Sequence, residues 1–292
     1  MELELVLDGR AEIGESPLWD PDTGHLLWVD ILPGLVHRFD PRTGANVTVE
    51  IGQPVGAVAL TRDERILLAV RDGFALLDPE GGVDMLVDVE AGNTDARMND
   101  GTCDALGRYW AGTTQVDRAP GAGSVYRLDQ PATVRRVITG ATLPNGIDWS
   151  PDGESMYFID SASRCIDVFT FEMSTGTLSD RRHIVEIPAA DGMPDGLTVD
   201  ANGYLWVALY RGGAIRRYTP GGALDRIVEL PASLVTSCAF GDQDLGSLYI
   251  TTATRGLDAE ARKREPGAGG LFRIRPGVSG RAPNRFGSVG PS

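Results

Sequence analysis

The segment MPDGLTVDANGYLWVA, residues 193–208, places a carboxylate between proline and glycine, followed by an alternating apolar run and an Asn-Gly turn. Proline and glycine around an acidic residue are typical of a sharp change of chain direction that presents a side chain. The same local plan recurs at residues 98–101, ahead of residues 107–110, and at residues 144–148, ahead of a Pro-Asp-Gly turn. We interpret the polar residue beside glycine as the start of a repeating unit.

The repeat runs through the whole chain. Its units begin near residues 15, 57, 99, 145, 195 and 237, a period of roughly 40 to 50 residues that is typical of propeller blades. The 37 glycines and the lack of convincing amphipathic helices favour many short strands joined by turns. The sequence predicts an all-β fold, a six-bladed β-propeller of four-stranded antiparallel blades, as a single domain over residues 1–292. We expect the strand at residues 2–7 to complete the last blade.

The charge balance is strongly acidic, with 27 basic and 41 acidic residues and a net charge of −14. It argues against nucleic acid or an anionic membrane as a partner, because those partners require clustered lysine and arginine. Cys103, Cys165 and Cys238 are widely spaced and odd in number, which predicts buried thiols rather than a disulfide framework. Residues 1–10 lack the regions of a signal peptide, and no apolar run reaches about 18 residues. We expect a cytoplasmic protein, and a monomer or weak homodimer.

The repeat also predicts a shared site. In a propeller the innermost strand of each blade starts at the central channel, so the polar residues at the blade starts converge there: Glu15, Asn99, Asn145 and Asp195. Two carboxylates and two amide oxygens suit a hard divalent cation such as Ca²⁺, Mg²⁺ or Mn²⁺. The three histidines lie elsewhere in the repeat, so a histidine zinc site or a Ser-His-Asp triad has little support.

A structural interpretation stays open at each of these positions. An isolated Asp-Gly or Asn-Gly pair is most often a turn that satisfies backbone groups. Glu15 has no evident turn role between Gly14 and Ser16, whereas Arg97 is equally consistent with a surface charge. We expect the five tryptophans to belong to the blade cores rather than to a ligand platform.

Several motifs resemble, in the same order, those of the SMP-30/gluconolactonase/LRE family. They are GESPLW (14–19), RMNDG (97–101), GRYWAGT (107–113), PNGIDWS (144–150), PDG (194–196), TSCAFG (236–241) and GAGGLF (267–272). The resemblance implies a six-bladed propeller that holds one divalent metal ion, Ca²⁺, Zn²⁺, Mg²⁺ or Mn²⁺, and that hydrolyses sugar lactones.

The resemblance also implies roles for individual residues. The family's metal ligands fall at Glu15, Asn145 and Asp195. Asp195 also matches the proposed general base, and Arg97 and Asn99 match substrate-binding positions. An acidic residue that contacts substrate falls, by count from Asn99, at Asp117, but the loop at residues 114–118 is shorter here and offers Asp rather than Glu. This departure leaves the substrate preference open.

Three function classes remain. The leading one is a lactonase in which the metal polarises the lactone carbonyl and Asp195 takes a proton from water. A related hydrolase acting on phosphotriesters or other esters would use the same oxygen cage. A calcium-binding or protein-interaction scaffold is the alternative without catalysis, since a fold alone does not give a function. Arg97 and Asn99 favour catalysis, because ion binding needs no groups that hold a sugar.

Overall fold

The chain folds into six four-stranded antiparallel sheets whose innermost strands contact one another around a central channel, in a computed structural model that describes residues 2–287. The six-bladed β-propeller predicted from the repeat is therefore confirmed. Each predicted blade start lies in an innermost strand, so the predicted positions of the blades along the chain were also correct.

The blades follow the chain in order. After β1 (Glu4–Leu7), blade 1 contains β2 (Gly14–Asp20), β3 (His25–Asp30), β4 (Leu35–Asp40) and β5 (Ala45–Glu50), and blade 2 contains β6 (Val55–Leu60), β7 (Ile66–Val70), β8 (Gly73–Leu77) and β9 (Val83–Asp88). Blade 3 contains β10 (Ala96–Cys103), β11 (Tyr109–Gln115), β12 (Gly123–Asp129) and β13 (Thr133–Ala141), and blade 4 contains β14 (Pro144–Trp149), β15 (Ser155–Asp160), β16 (Cys165–Glu172) and β17 (Thr177–Glu186). Blade 5 contains β18 (Met193–Val199), β19 (Leu205–Tyr210), β20 (Ala214–Tyr218) and β21 (Leu224–Glu229), and blade 6 contains β22 (Val235–Gly241), β23 (Ser247–Thr252), β24 (Leu271–Ile274) and β1. The described helices are α1 (Ala259–Arg264) and two short 3₁₀ helices, Ser161–Ser163 and Ala189–Asp191.

The first strand closes the ring. β1 pairs antiparallel with β24, with Glu4 opposite Arg273 and Leu5 opposite Phe272, so the N-terminal strand completes the last blade as predicted. Because this pairing joins the two ends of the repeat in one blade, it closes the ring and leaves only the short outermost strands of the blades as edges.

The core consists of six apolar clusters, each packed between two adjacent blades. The cluster between blades 6 and 1 contains Trp19, Trp28 and Tyr249 and seals the ring where the chain ends meet. All five tryptophans are at most 4% exposed, which confirms the expectation that they belong to the blade cores. Burial of the aromatic and aliphatic surface in these clusters is the dominant favourable contribution to folding.

In blades 3 and 5 a buried aspartate holds the turn that follows the innermost strand. Asp104 accepts hydrogen bonds from the backbone N–H groups two and four residues later and from the indole Nε1 of Trp110 at 2.9 Å. Asp200 accepts the equivalent hydrogen bonds from the backbone N–H groups two and four residues later and from the indole Nε1 of Trp206, the last at 2.9 Å. A buried carboxylate with several donors is stable in the core, so these aspartates hold turn and core together.

The C-terminal segment, residues 279–287, crosses the face of the propeller opposite the predicted site. Arg281 donates to Asp148 Oδ1 at 2.9 Å, Asn284 donates to the Cys103 carbonyl oxygen at 3.1 Å, and the Phe286 N–H binds the Leu60 carbonyl oxygen at 2.8 Å. The Phe286 ring is buried in the cluster between blades 2 and 3. Residues 281–284 line a cavity at this end of the channel and so close it on that side.

The expectation of buried thiols holds for two of the three cysteines. Cys103 and Cys238 are buried, and Cys165 is partly exposed at the start of β16. Within residues 2–287, no helix has the length and apolar character needed to cross a membrane.

Candidate functional site

The predicted site residues converge on one pocket at the open mouth of the channel. Of the predicted residues, those that line it are Glu15, Arg97, Asn99, Asn145 and Asp195. The pocket encloses about 1090 Å³ of space, part of it open solvent, which is ample for a sugar-sized ligand. Blades 1, 3, 4, 5 and 6 contribute side chains to this lining, whereas the matching position in blade 2 is Gly56, whose missing side chain leaves room for the backbone of Asn99.

These residues lie at β-bulges inside the innermost strands. The pairing register shifts between Glu15 and Leu18, and equivalent shifts accompany Asn99, Asn145 and Asp195. A bulge redirects side chains and is frequent next to functional sites. The interpretation of Asp195 as a turn residue ahead of a strand is therefore wrong, because it belongs to β18.

The glycines that follow the site residues are explained by close approach of neighbouring strands. A Cβ on Gly196 would lie 2.1 Å from Ser237 Oγ, and a Cβ on Gly146 would lie 2.7 Å from the backbone nitrogen of Leu197. Neither glycine has a positive φ, so turn geometry does not require them. The Asn-Gly and Asp-Gly pairs thus reflect how tightly the innermost strands pack around the channel.

Two aspartates anchor the backbone that carries two of the predicted ligands. The carboxylate of Asp30 accepts the N–H groups two and three residues before Glu15, both at 2.9 Å. Asp160 accepts the N–H groups at the same offsets before Asn145, also at 2.9 Å. The sequence analysis did not identify either aspartate. Each is the last residue of the second strand of its blade and follows two apolar residues, and this shared pattern could have identified both.

A continuous hydrogen-bond network orients the amide groups of the site. Arg97 Nη1 donates to Asn99 Oδ1 at 2.7 Å, and Asn99 Nδ2 donates to Asn145 Oδ1 at 2.7 Å. Asn145 Nδ2 donates to Ser161 Oγ at 2.7 Å, and that hydroxyl donates to the carbonyl oxygen of Pro194 at 2.6 Å. Because the Oδ1 of Asn145 accepts one hydrogen bond, from Asn99, it keeps a second lone pair for another partner. The network ends one residue before Asp195.

The two carboxylates are buried and poorly satisfied. Glu15 is 4% exposed and Asp195 is 9% exposed. Glu15 Oε2 accepts the Ser16 N–H at 2.8 Å, and no residue within 2–287 donates a hydrogen bond to the Asp195 carboxylate. Burial raises the pKa of Glu15 and of Asp195, and the negative charge of Asp100 raises both further. Asp195 also adds to the raised pKa of Glu15.

A divalent cation fits this donor set. Buried carboxylates that lack donors are costly unless a positive charge compensates them. In the described part of the chain, no three or more His, Cys, Asp and Glu side chains group as a metal site. The predicted set contains only two carboxylates, so its third protein oxygen is the Oδ1 of Asn145. An all-oxygen set is the type that Ca²⁺, Mg²⁺ and Mn²⁺ prefer.

Arg97 is a buried cation whose charge lowers the pKa of both Glu15 and Asp195. Burial, together with the positive charges of Arg118 and Arg255, lowers its pKa to about 10, and Glu15 and Asp195 act in the opposite direction. The guanidinium therefore stays charged at neutral pH. The alternative interpretation of Arg97 as a surface charge does not hold, because it lines the pocket and binds Asn99.

The structure does not bring Asp117 into the site. Its side chain is exposed, and Oδ1 accepts the N–H of Ala119 at 3.0 Å within its own turn. Arg118 adopts a left-handed conformation, with φ 57°, and lines the pocket instead. The short loop closes through a hydrogen bond from the Arg118 N–H to the Gln115 carbonyl oxygen at 2.9 Å, and a role for Asp117 in substrate binding stays a prediction.

Comparison with known proteins places the chain in a family. Residues 13–254 match the family model described as the SMP-30/Gluconolactonase/LRE-like region. The chain belongs to this family. It is 35% identical over 288 residues to YvrE of Bacillus subtilis, provisionally named a sugar lactone lactonase, covering 98% of this chain and 99% of that protein. Regucalcin of Xenopus laevis is 37% identical over 294 residues, with 98% of each chain covered.

Solved structures of similar proteins agree with the fold. A regucalcin from Agrobacterium tumefaciens, described as a calcium-binding protein, superposes with a TM-score of 0.93 at 28% identity and covers 97% of this chain and 96% of its own. A gluconolactonase from Xanthomonas campestris superposes with a TM-score of 0.77 at 25% identity, covering 94% and 89%. The family relationship supports a lactonase-like function for this chain.

Proposed function

We propose that this chain is a metal-dependent sugar lactonase that opens aldonolactones to the corresponding sugar acids. The observation that supports this most strongly is the composition of one pocket. It combines buried oxygens suited to a cation, from Glu15, Asn145 and Asp195, with two groups suited to a sugar, Arg97 and Asn99. A protein that only stored an ion would not need the second set.

The metal would be held by Glu15, Asn145 and Asp195. When bound there, a divalent cation supplies Lewis-acid chemistry toward the lactone carbonyl. The oxygen donors favour Ca²⁺, Mg²⁺ or Mn²⁺, and Zn²⁺ remains a candidate because it also accepts carboxylate ligands. The calcium-binding description of the regucalcin from Agrobacterium tumefaciens is consistent with this choice.

Asp195 is the proposed base. One of its carboxylate oxygens accepts a proton from a water molecule as that water adds to the lactone carbonyl carbon. The proton then passes to the ring oxygen as the carbon–oxygen ester bond breaks, which leaves the open-chain acid. No described side chain competes for the Asp195 oxygens through a hydrogen bond, so both are available to the metal and to water.

Arg97 and Asn99 position the substrate in this proposal. Arg97 Nη1 is occupied by Asn99 and by the Met98 carbonyl oxygen, which leaves Nε and Nη2 for sugar hydroxyls. Because the guanidinium is fixed by these two bonds before substrate arrives, little conformational freedom is lost on binding. The free thiols favour a reducing compartment, and we propose a cytoplasmic location.

Turnover of aldonolactones tests the proposal. The protein is stripped of metal with a chelator, and hydrolysis is measured after each of the four candidate cations is added separately. We expect hydrolysis with at least one cation and none in the stripped protein. A phosphotriester assayed in parallel tests the related hydrolase. Tight binding of a cation without hydrolysis of any lactone or ester would instead favour the calcium-binding scaffold.

A further inference from the structure

The mouth of the pocket is positively charged, in contrast to the protein as a whole. Its lining contains four arginines, Arg97, Arg118, Arg211 and Arg255, and two acidic residues, Glu15 and Asp195. The whole chain has the opposite balance, with 27 basic and 41 acidic residues. Basic residues therefore outnumber acidic residues in the lining where the proposed substrate enters, the reverse of the balance over the whole chain.

Two of these arginines lack a hydrogen-bonded or ion-paired partner among the described residues, although the charge of Arg118 lowers the pKa of Asp195. No hydrogen bond or ion pair within residues 2–287 involves the side chain of Arg118 or Arg211. Arg255 forms a 3.3 Å ion pair with Glu12, but both side chains are more than half exposed, so the pair is weak. Arg118 and Arg211 also have φ values of 57° and 63°, in the left-handed region where glycine is easiest to accommodate. Backbone geometry therefore does not explain a large cationic side chain at either position.

The charge balance changes further when the proposed cation is bound. The charge of −2 on Glu15 and Asp195 is cancelled by the +2 of a divalent ion, which leaves the four arginines as a net charge of +4 in the lining. A neutral aldonolactone offers nothing to compensate them. A carboxylate or a phosphate does, because a guanidinium binds either group through two parallel hydrogen bonds.

We propose that the lactone accepted by this site carries an anionic group, a carboxylate or a phosphate, at the end of the sugar away from the lactone carbonyl. Arg118 and Arg211 are the specificity residues that bind it, with Arg255 adding to the positive field. The inference rests on the proposed lactonase function and deepens it. It also fits the departure from the family pattern at residue 117, since the pocket receives a cation from Arg118 where an acidic residue was expected.

The test compares three lactones of similar size with the metal-loaded protein: D-gluconolactone, which is neutral, D-glucarolactone, which carries a carboxylate, and 6-phosphogluconolactone. An exposed charge pair contributes up to about a fivefold effect, so two arginines predict a preference of about tenfold, and at most about 25-fold, in kcat/KM for an anionic lactone. The preference should shrink at high salt, because these charges are exposed and screened. Comparison of the carboxylate and phosphate arms tells which anion is bound.

Variants assign the effect to the named side chains. Arg118→Gln combined with Arg211→Gln should lower the anionic-to-neutral ratio of kcat/KM by about tenfold, through an increase in KM for the anionic lactone. Arg42→Gln is the matched control, since Arg42 is exposed on the turn between β4 and β5 at the other face, and it should keep the wild-type ratio. If D-gluconolactone is hydrolysed as well as the anionic lactones, or the double variant keeps the preference, the inference is wrong and the lactonase proposal stands. If no lactone is hydrolysed with any cation, the lactonase proposal is contradicted and the inference falls with it.

Discussion

The substitution Asp195→Asn should have opposite effects on the stability of the metal-free protein and on its stabilisation by metal. The change keeps the size of the side chain and removes its charge. In the metal-free protein the carboxylate is buried and receives no hydrogen bond from the described residues; its charge raises the pKa of Glu15, and the charge of Asp100 raises its own pKa. Asp195→Asn should therefore raise the melting temperature of the stripped protein while abolishing the stabilisation by metal. Residues kept for binding commonly reduce stability in this way.

The size of the metal effect follows from linkage and chain length. A ligand at about 100 times its dissociation constant stabilises the folded state by about 2.7 kcal/mol. The 292 residues, at about 2.1 cal/mol/K each, give an unfolding entropy of about 0.6 kcal/mol/K, so each kcal/mol shifts Tm by about 1.6 °C. The wild-type protein should therefore gain about 4 °C at that metal concentration.

Differential scanning calorimetry of stripped and metal-loaded protein measures both effects. Asp84→Asn is the control, because Asp84 is exposed on the outer strand β9 and the same chemical change there should leave the metal shift intact. If metal raised the melting temperature of Asp195→Asn by as much as that of the wild-type protein, the assignment of Asp195 as a ligand would be refuted. The absence of any shift in the wild-type protein with all four cations would also refute it.

Three further predictions concern other parts of the molecule. Arg97→Ala should lower kcat/KM by about tenfold to a hundredfold, because it removes charged hydrogen bonds to substrate, and should keep the metal-induced Tm shift; loss of that shift would assign Arg97 to the metal site instead. Burial raises the pKa of Glu15 and of Asp195 in the folded, stripped protein above the ordinary values that these groups keep in the unfolded chain. Between the ordinary and the raised pKa values the folded state binds more protons than the unfolded chain, so stability should fall as pH rises through the raised values. Urea unfolding across this range should show the decline in stripped protein and a smaller one with saturating metal; a rise in both would contradict the assigned shifts. Phe286→Ala should cost about 3 to 5 kcal/mol of unfolding free energy because the ring is 4% exposed in an apolar cluster, whereas Leu224→Ala at an exposed site should change it little; equal values in urea unfolding would show that the C-terminal segment does not contribute to the core.

The repeat made the propeller and the register of its blades predictable. Four of the six units, those of blades 1, 3, 4 and 5, carry a polar residue next to or close to a glycine near the blade start. The period of the units predicts the blade count, and the polar positions predict which residues face the channel. For that reason Glu15, Asn145 and Asp195 could be grouped although they are far apart in the sequence. The structure confirmed their convergence on one pocket.

The features that the sequence did not reveal depend on contacts outside the repeat. The bulge at Asp195 arises from the packing of neighbouring innermost strands, which Gly196 permits, and local pattern alone resembles a turn. Which side chain of the short loop lines the pocket depends on how that loop closes. In the structure it is Arg118 and not Asp117, so the loop offers the pocket a positive charge instead of a negative one. The C-terminal segment has no strand pattern, so only its contacts with several blades identify Phe286 as a core residue.

The most direct test of the central claim is a titration of the stripped protein with the preferred cation, in which bound metal and lactone hydrolysis are measured on the same samples. Hydrolysis should be absent without metal, rise in proportion to bound metal, and saturate at one ion per chain, while Asp195→Asn stays inactive throughout. Full hydrolysis by protein that metal analysis shows to be free of metal would contradict the account.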